Sequence, residues 1–122
     1  MSEAKILIVD DDQDIRRLVA HCLKAEGFEA VFAGDAIAAV NAARKEEPDL
    51  ILLDLGLPAG DGRVVIERMK AMPALEGIPV IIITARDLAM ERESLEQTGA
   101  VAMFQKPFDH DELVAAIRSA LG

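Results

Sequence analysis

The sequence predicts a doubly wound α/β fold, with five strand–helix units arranged around one parallel sheet. Three observations predict it. Short apolar runs alternate along the chain with longer segments of helical spacing. Three of the runs, at residues 6–9, 50–53 and 80–83, are aliphatic throughout. A strand with one wet face would alternate, so these strands are buried on both faces, as in a parallel sheet covered by helices. No linker, repeat or low-complexity stretch interrupts the pattern over 122 residues, which is one domain's worth of chain. The expectation is a single domain over residues 1–122, with no output domain attached.

The elements follow in order. The first strand covers residues 6–9. Ile15, Leu18, Val19, Cys22 and Leu23 then repeat at the spacing of one helix face, and Gly27 fits the position just past that helix. Asp12 and Asp14 read as first-turn charges facing the helix dipole rather than as ligands. Residues 30–32 form a second strand. Asp35 is an N-cap for an alanine-rich second helix, and Pro48 steers Glu47 away from helical geometry at its end. After the third strand, Asp61 and Gly62 serve a turn and a helix start. Val65, Met69 and Met72 then form an apolar stripe. The fourth helix, residues 87–98, has a thin stripe, chiefly Leu88 and Leu95, with Gly99 at its end. Residues 101–104 form the fifth strand. Asp109 and Glu112 form a capping box ahead of Leu113, Ile117, Ala120 and Leu121. His21 and His110 read as surface residues, and Arg16 and Arg17 as partners of nearby surface acids.

Composition narrows the function. The chain is 52% hydrophobic but only 3% aromatic, so Val, Ile, Leu and Ala fill the core and no Trp or Tyr is present to stack a base. A net charge of −9 opposes direct binding to nucleic acid or to an anionic membrane. No run reaches the roughly 18 apolar residues of a membrane span. The first residues read as no signal peptide, and the single Cys22 has no disulfide partner within the chain. Together these favour a cytoplasmic location.

In an open α/β sheet, ligands bind outside the carboxyl ends of the strands. The first strand ends in Asp10, Asp11 and Asp12, the third in Asp54 and the fourth in Thr84, while Lys106 and Pro107 follow the fifth. Two carboxylates about 4 Å apart repel by roughly 4 kcal/mol at an effective dielectric near 20. Such a cluster needs cations. Lys106 supplies one charge and a hard divalent ion could supply two. Oxygen donors suit Mg²⁺, and no Cys or His lies on this edge to favour zinc or copper. A carboxylate beside a metal can attack a phosphoryl donor, with the ion, the ammonium and the Thr84 hydroxyl each taking one phosphoryl oxygen.

The residues Ile6-Leu7-Ile8-Val9-Asp10-Asp11, Leu52-Leu53-Asp54-Leu55-Gly56-Leu57-Pro58, Ile83-Thr84-Ala85 and Lys106-Pro107-Phe108 resemble the marker set of response-regulator receiver domains, the CheY-like family of two-component signalling. The spacings match too, 30 residues from Asp54 to Thr84 and 22 from Thr84 to Lys106. Thr84 alone would be an ordinary strand-end hydroxyl and Lys106 alone a solvated charge; their joint register gives them weight. The resemblance implies a flavodoxin-like sheet of strand order 2-1-3-4-5. It implies Asp54 as phosphoryl acceptor, and Thr84 and Lys106 as phosphoryl-oxygen ligands. Mg²⁺ would be held by Asp10, Asp11, Asp54 and the Gly56 carbonyl, with Asp10 acting through a metal-bound water. It also implies a cis Lys106–Pro107 bond. The implied donor is a sensor histidine kinase or histidine phosphotransfer protein. The implied downstream surface is the fourth helix, fifth strand and fifth helix. Ala85 leaves the pocket open to a donor.

One position departs from the family pattern. Three residues before the lysine the family carries Tyr or Phe, whereas this chain has Met103. Phe104 falls on the opposite face of the strand and does not replace it. An alternative reading is a Mg²⁺ phosphatase with an Asp nucleophile, but such enzymes place a general acid two residues later, where Gly56 has no proton to give. The sequence therefore reads as a self-phosphorylating and self-dephosphorylating switch rather than an enzyme with external turnover.

Overall fold

A computed structural model of the chain describes residues 3–57 and 62–122. Pro58 of the second marker and Asp61 of the expected turn lie outside these residues, as do Met1 and Ser2. Five strands and five helices alternate: β1 (Lys5–Val9), α1 (Gln13–Ala25), β2 (Glu29–Ala33), α2 (Ala36–Glu46), β3 (Leu50–Leu53), α3 (Gly62–Lys70), β4 (Val80–Thr84), α4 (Leu88–Glu96), β5 (Ala102–Gln105) and α5 (His110–Leu121). The strands form one parallel sheet in the order β2-β1-β3-β4-β5.

The aliphatic strands are buried on both faces, as their continuous runs require. Leu7, Val9, Ile51, Leu53 and Ile82 pack toward α2, α3 and α4. Ile6, Ile8, Leu50, Leu52 and Ile81 pack toward α1 and α5. The chain leaves β1 toward one helical layer and β3 toward the other, so the crevice between these adjacent strands opens at their carboxyl ends. Among the described residues, no helix is long and apolar enough to cross a membrane.

Local chemistry fixes the helix limits. The Asp12 carboxylate accepts from Asp14 N (2.9 Å) and Ile15 N (3.3 Å), so the third acid of the Asp10–Asp12 run is the N-cap of α1. At the other end Gly27 takes φ +87°, Phe28 N bonds to Leu23 O and Gly27 N to Lys24 O. That is a Schellman end, with Phe28 packed in the same cluster as Leu23. Asp35 caps α2 through Ala38 N, Asp87 caps α4 through Ala89 N, and Asp109 caps α5 through Glu112 N. Among the described residues the return bond of the predicted capping box, from Glu112 to Asp109 N, is not made.

Several expectations shift. Glu47 leaves the right-handed helical region and α2 ends before it, as Pro48 leads one to expect, but the conformation it takes is left-handed (φ 48°, ψ 57°). The following proline bars the right-handed helical region, and the left-handed conformation lets Glu47 N reach Ala43 O at 3.3 Å. The third helix ends at Lys70, leaving Met72 in the turn beyond it. The fourth helix ends at Glu96, and its buried residues are Leu88 and Leu95 as the thin stripe predicts. The fifth strand starts at Ala102, one residue later than its apolar run, and Val101 ahead of it is exposed.

Candidate functional site

Each strand end delivers its residue to the edge that the sequence marks. Asp10 and Asp54, the residues after β1 and β3, are 4% and 8% exposed, while Asp11 is exposed. Their positions come from the sheet: Asp54 N donates to Val9 O (2.9 Å) and Asp10 N to Ala33 O (3.1 Å). Carboxylate oxygens of Asp10, Asp11 and Asp54 lie within 4.8 Å of one another. The Lys106 ammonium, arriving from the end of β5, lies 2.7 Å from Asp10 Oδ2 and 3.3 Å from Asp54 Oδ2.

Thr84 is the last residue of β4 and is buried. Its carbonyl accepts from Lys106 N at 2.7 Å, which fastens the start of the lysine segment to the threonine. Its hydroxyl accepts from Arg86 N at 3.1 Å. The Lys106–Pro107 peptide is cis. The other Asp54 oxygen, Oδ1, accepts from Gly56 N at 3.1 Å, so Gly56 holds the aspartate through its N–H while its own backbone is exposed. Gly62 is required by packing. An ideal Cβ there would stand 2.6 Å from the Asp54 carbonyl oxygen and 3.0 Å from Leu55 Cα.

The electrostatics are uneven. Burial acts to lower the pKa of Lys106, but the hydrogen bond and charge of Asp10, with the charge and hydrogen bond of Asp54, outweigh it. The net result is a pKa above the ordinary lysine value. Lys106 is therefore a fixed cation at neutral pH. Three carboxylates against one ammonium still leave the cluster two negative charges in excess. The donors are all oxygen, and a small hard divalent cation matches both that charge and those donors.

Three residues matter here that periodicity does not reveal. Arg16 does not pair with a surface acid. Its Nη1 donates to the Asp10 carbonyl at 2.9 Å, and among the described residues neither Arg16 nor Arg17 forms a salt bridge. Gln105 reaches from β5 to α4, its Oε1 accepting from Leu88 N at 3.2 Å. His110 is half-buried rather than on the surface. It lines an apolar groove of about 480 Å³ with Ile15, Leu18 and Cys22 of α1 and with Pro107 and Phe108, and Lys106 also borders this groove. Met103 packs in the layer of α2, α3 and α4 while Phe104 packs in the opposite layer, as strand alternation requires.

Fold and site together define a doubly wound parallel sheet with a lysine-bridged aspartate pocket at its switch point. The family model for the response regulator receiver domain matches residues 6–118. Sporulation initiation phosphotransferase F of Bacillus subtilis (strain 168) is 43% identical over 122 residues, covering 99% of this chain and 96% of its own length. The phosphate regulon transcriptional regulatory protein PhoB of Escherichia coli (strain K12) is 40% identical over 117 residues, and the chain spans about half of PhoB's length, 51%. The solved receiver domain of sensor histidine kinase PA1611 from Pseudomonas aeruginosa PAO1 superposes with a TM-score of 0.89. It is 29% identical, with 98% of each chain covered, and it carries a magnesium ion coordinated in its active site cleft. The chain belongs to the response regulator receiver domain family.

Proposed function

We propose that the chain is a phosphorylation-controlled switch of a phosphorelay, accepting a phosphoryl group on Asp54 in a Mg²⁺-dependent step. One observation carries the reading: the Lys106 ammonium is within 3.3 Å of Asp54 in a pocket where three aspartate oxygens converge within 4.8 Å. Asp10, Asp11, Asp54 and the Gly56 carbonyl would hold the ion. Bound there, Mg²⁺ would offset the excess negative charge and polarise a phosphoryl oxygen.

The chain's own groups do the rest. Gly56 N holds Asp54 Oδ1, which leaves the Oδ2 side facing Lys106. A carboxylate oxygen of Asp54 forms the new bond to phosphorus. The bond from phosphorus to the donor's nitrogen or oxygen breaks, and its electron pair leaves with the donor. Lys106 supplies positive charge to one phosphoryl oxygen, and the Thr84 hydroxyl donates a hydrogen bond to another. Water attacking the acyl phosphate later restores the carboxylate and releases inorganic phosphate. The chain modifies and resets itself without turning over an external substrate, and Gly56 offers no general acid for steady hydrolysis.

The donor is a histidine kinase or a histidine phosphotransfer protein. The groove between α1 and the segment after Lys106 borders the pocket and offers apolar surface, including the 63%-exposed Leu18, for a donor to seat against. The output partner is a protein that reads α4, β5 and α5, where Met90 of α4, and Val101 just ahead of β5, present exposed apolar side chains. Mass spectrometry after incubation with acetyl phosphate and Mg²⁺ tests the reading. One phosphoryl group per chain is expected, absent from Asp54→Asn and absent when EDTA replaces Mg²⁺. Continuous release of phosphate from small phosphate esters would point to an enzyme instead, and no modification by either donor would point to a binding module.

A further inference from the structure

Asp10 has a partner at each of its four polar positions. Its N–H donates to Ala33 O, its Oδ1 accepts from Asp12 N and its Oδ2 accepts from Lys106 Nζ. The fourth, its carbonyl oxygen, accepts from Arg16 Nη1 at 2.9 Å. Arg16 stands in the second turn of α1 and reaches back over the turn that carries the acids. Gly34, just past β2, leaves the room: an ideal Cβ there would stand 2.9 Å from Arg16 Nη1.

That carbonyl belongs to the peptide joining Asp10 to Asp11. A peptide is planar, so fixing its oxygen sets the direction in which Asp11 departs. Asp11 depends on this. Its side chain is exposed, and among the described residues no hydrogen bond or ion pair reaches its carboxylate. Only the backbone aims it at Asp54. We infer that Arg16 is a positioning residue of the divalent-cation site, holding the Asp10–Asp11 peptide so that the Asp11 carboxylate faces Asp54. The inference rests on the Mg²⁺ reading of the pocket.

Charge and geometry act with opposite signs, which makes the assignment testable. A guanidinium near the pocket repels a cation, so loss of its charge alone would tighten Mg²⁺ binding. Loss of its hold on the Asp10 carbonyl would weaken it. Groups that orient metal ligands carry about ten- to a hundredfold in metal affinity.

Calorimetric titration of Mg²⁺ into the full chain, with thermal unfolding in EDTA as the fold control, separates these outcomes. Arg16→Met is expected to bind Mg²⁺ about tenfold more weakly or worse. Arg16→Lys, which keeps the charge and one donor, is expected to recover part of the loss. Gly34→Ala, whose methyl group displaces the guanidinium, is expected to weaken Mg²⁺ in the same direction. It should add nothing when combined with Arg16→Met, because both changes break one contact. An Arg16→Met chain that folds and binds Mg²⁺ as tightly as the natural chain, or more tightly, overturns the assignment. If Arg16→Met does not fold, Gly34→Ala decides alone, and unchanged affinity there overturns it. A natural chain that takes up no Mg²⁺ is a different result: it removes the metal reading itself, and this assignment with it.

Discussion

The ammonium of Lys106 sits closer to Asp10 (2.7 Å) than to Asp54 (3.3 Å). The cation is thus held mainly by the neighbour of the acceptor and spans both lips of the crevice. Its folded pKa is raised, so the stability it contributes is present in full below the ordinary lysine range and is lost as the pH rises through the raised value. Lys106→Met is expected to cost about 2 kcal/mol near neutral pH without Mg²⁺, because two buried carboxylates lose their cation. The gap between the natural chain and the variant should close at alkaline pH. Urea unfolding of both chains across pH 7 to 12 measures it; a gap that widens with pH contradicts the sign.

Divalent-ion binding should appear as stability. An ion that binds only the folded pocket raises the unfolding free energy by about 1.4 kcal/mol at ten times its dissociation constant. Mg²⁺ is expected to raise the thermal midpoint of the natural chain, and Asp11→Asn should lose most of that rise while keeping its midpoint in EDTA. Differential scanning calorimetry with and without Mg²⁺ reads both. Equal midpoints at millimolar Mg²⁺ would speak against the ion.

Gly62 carries a packing prediction. A methyl group there meets the backbone of Asp54 and Leu55, which cannot swing aside as a side chain can. Gly62→Ala is expected to destabilise by about 1–3 kcal/mol, the usual range for overpacking, and to slow phosphorylation by shifting Asp54. Denaturant unfolding and the rate of modification by acetyl phosphate should move together. Unchanged stability would mean that α3 can back away from the strand end.

The Gln105 side chain ties the first residue of α4 to the strand that ends beside Lys106. Only Leu88 and Leu95 of α4 are buried, and this polar tie adds to their anchorage alongside the Arg63–Glu91 ion pair. Gln105→Ala is expected to speed hydrogen exchange at the Leu88 amide by about tenfold or less, matching the roughly 1 kcal/mol of one such bond, with core strands unaffected. Exchange that stays as slow as in the natural chain would show another acceptor for that amide.

Much of this fold was legible in the sequence for a plain reason. The central strands are aliphatic on both faces, and each stops at a polar or charged residue, so Asp10, Asp54 and Thr84 fall at strand ends with little ambiguity. Even the sparse attachment of α4 through Leu88 and Leu95 is visible in its stripe. The errors fall where an apolar residue is not a buried one. Val101 reads as strand from its apolar side chain, yet it faces solvent and β5 begins one residue later. Arg16 was missed because an arginine beside an apolar stripe carries no signal for a backbone carbonyl six residues earlier. Gln105 and His110 depend on neighbours from other elements, which periodicity does not encode. The approach of Lys106 to Asp54 is likewise invisible to local spacing; it follows from the strand ends meeting on one sheet edge and from the family resemblance.

The crevice between β1 and β3 has a mechanical consequence. From one lip the polypeptide turns into the sheet layer of α1, from the other into that of α3, and Lys106 is the strap across them. New charge and bulk on Asp54 would compete for that strap at the seam where both layers begin. Both helical layers begin at that seam, so an adduct on Asp54 would bear on the two sides of the sheet together.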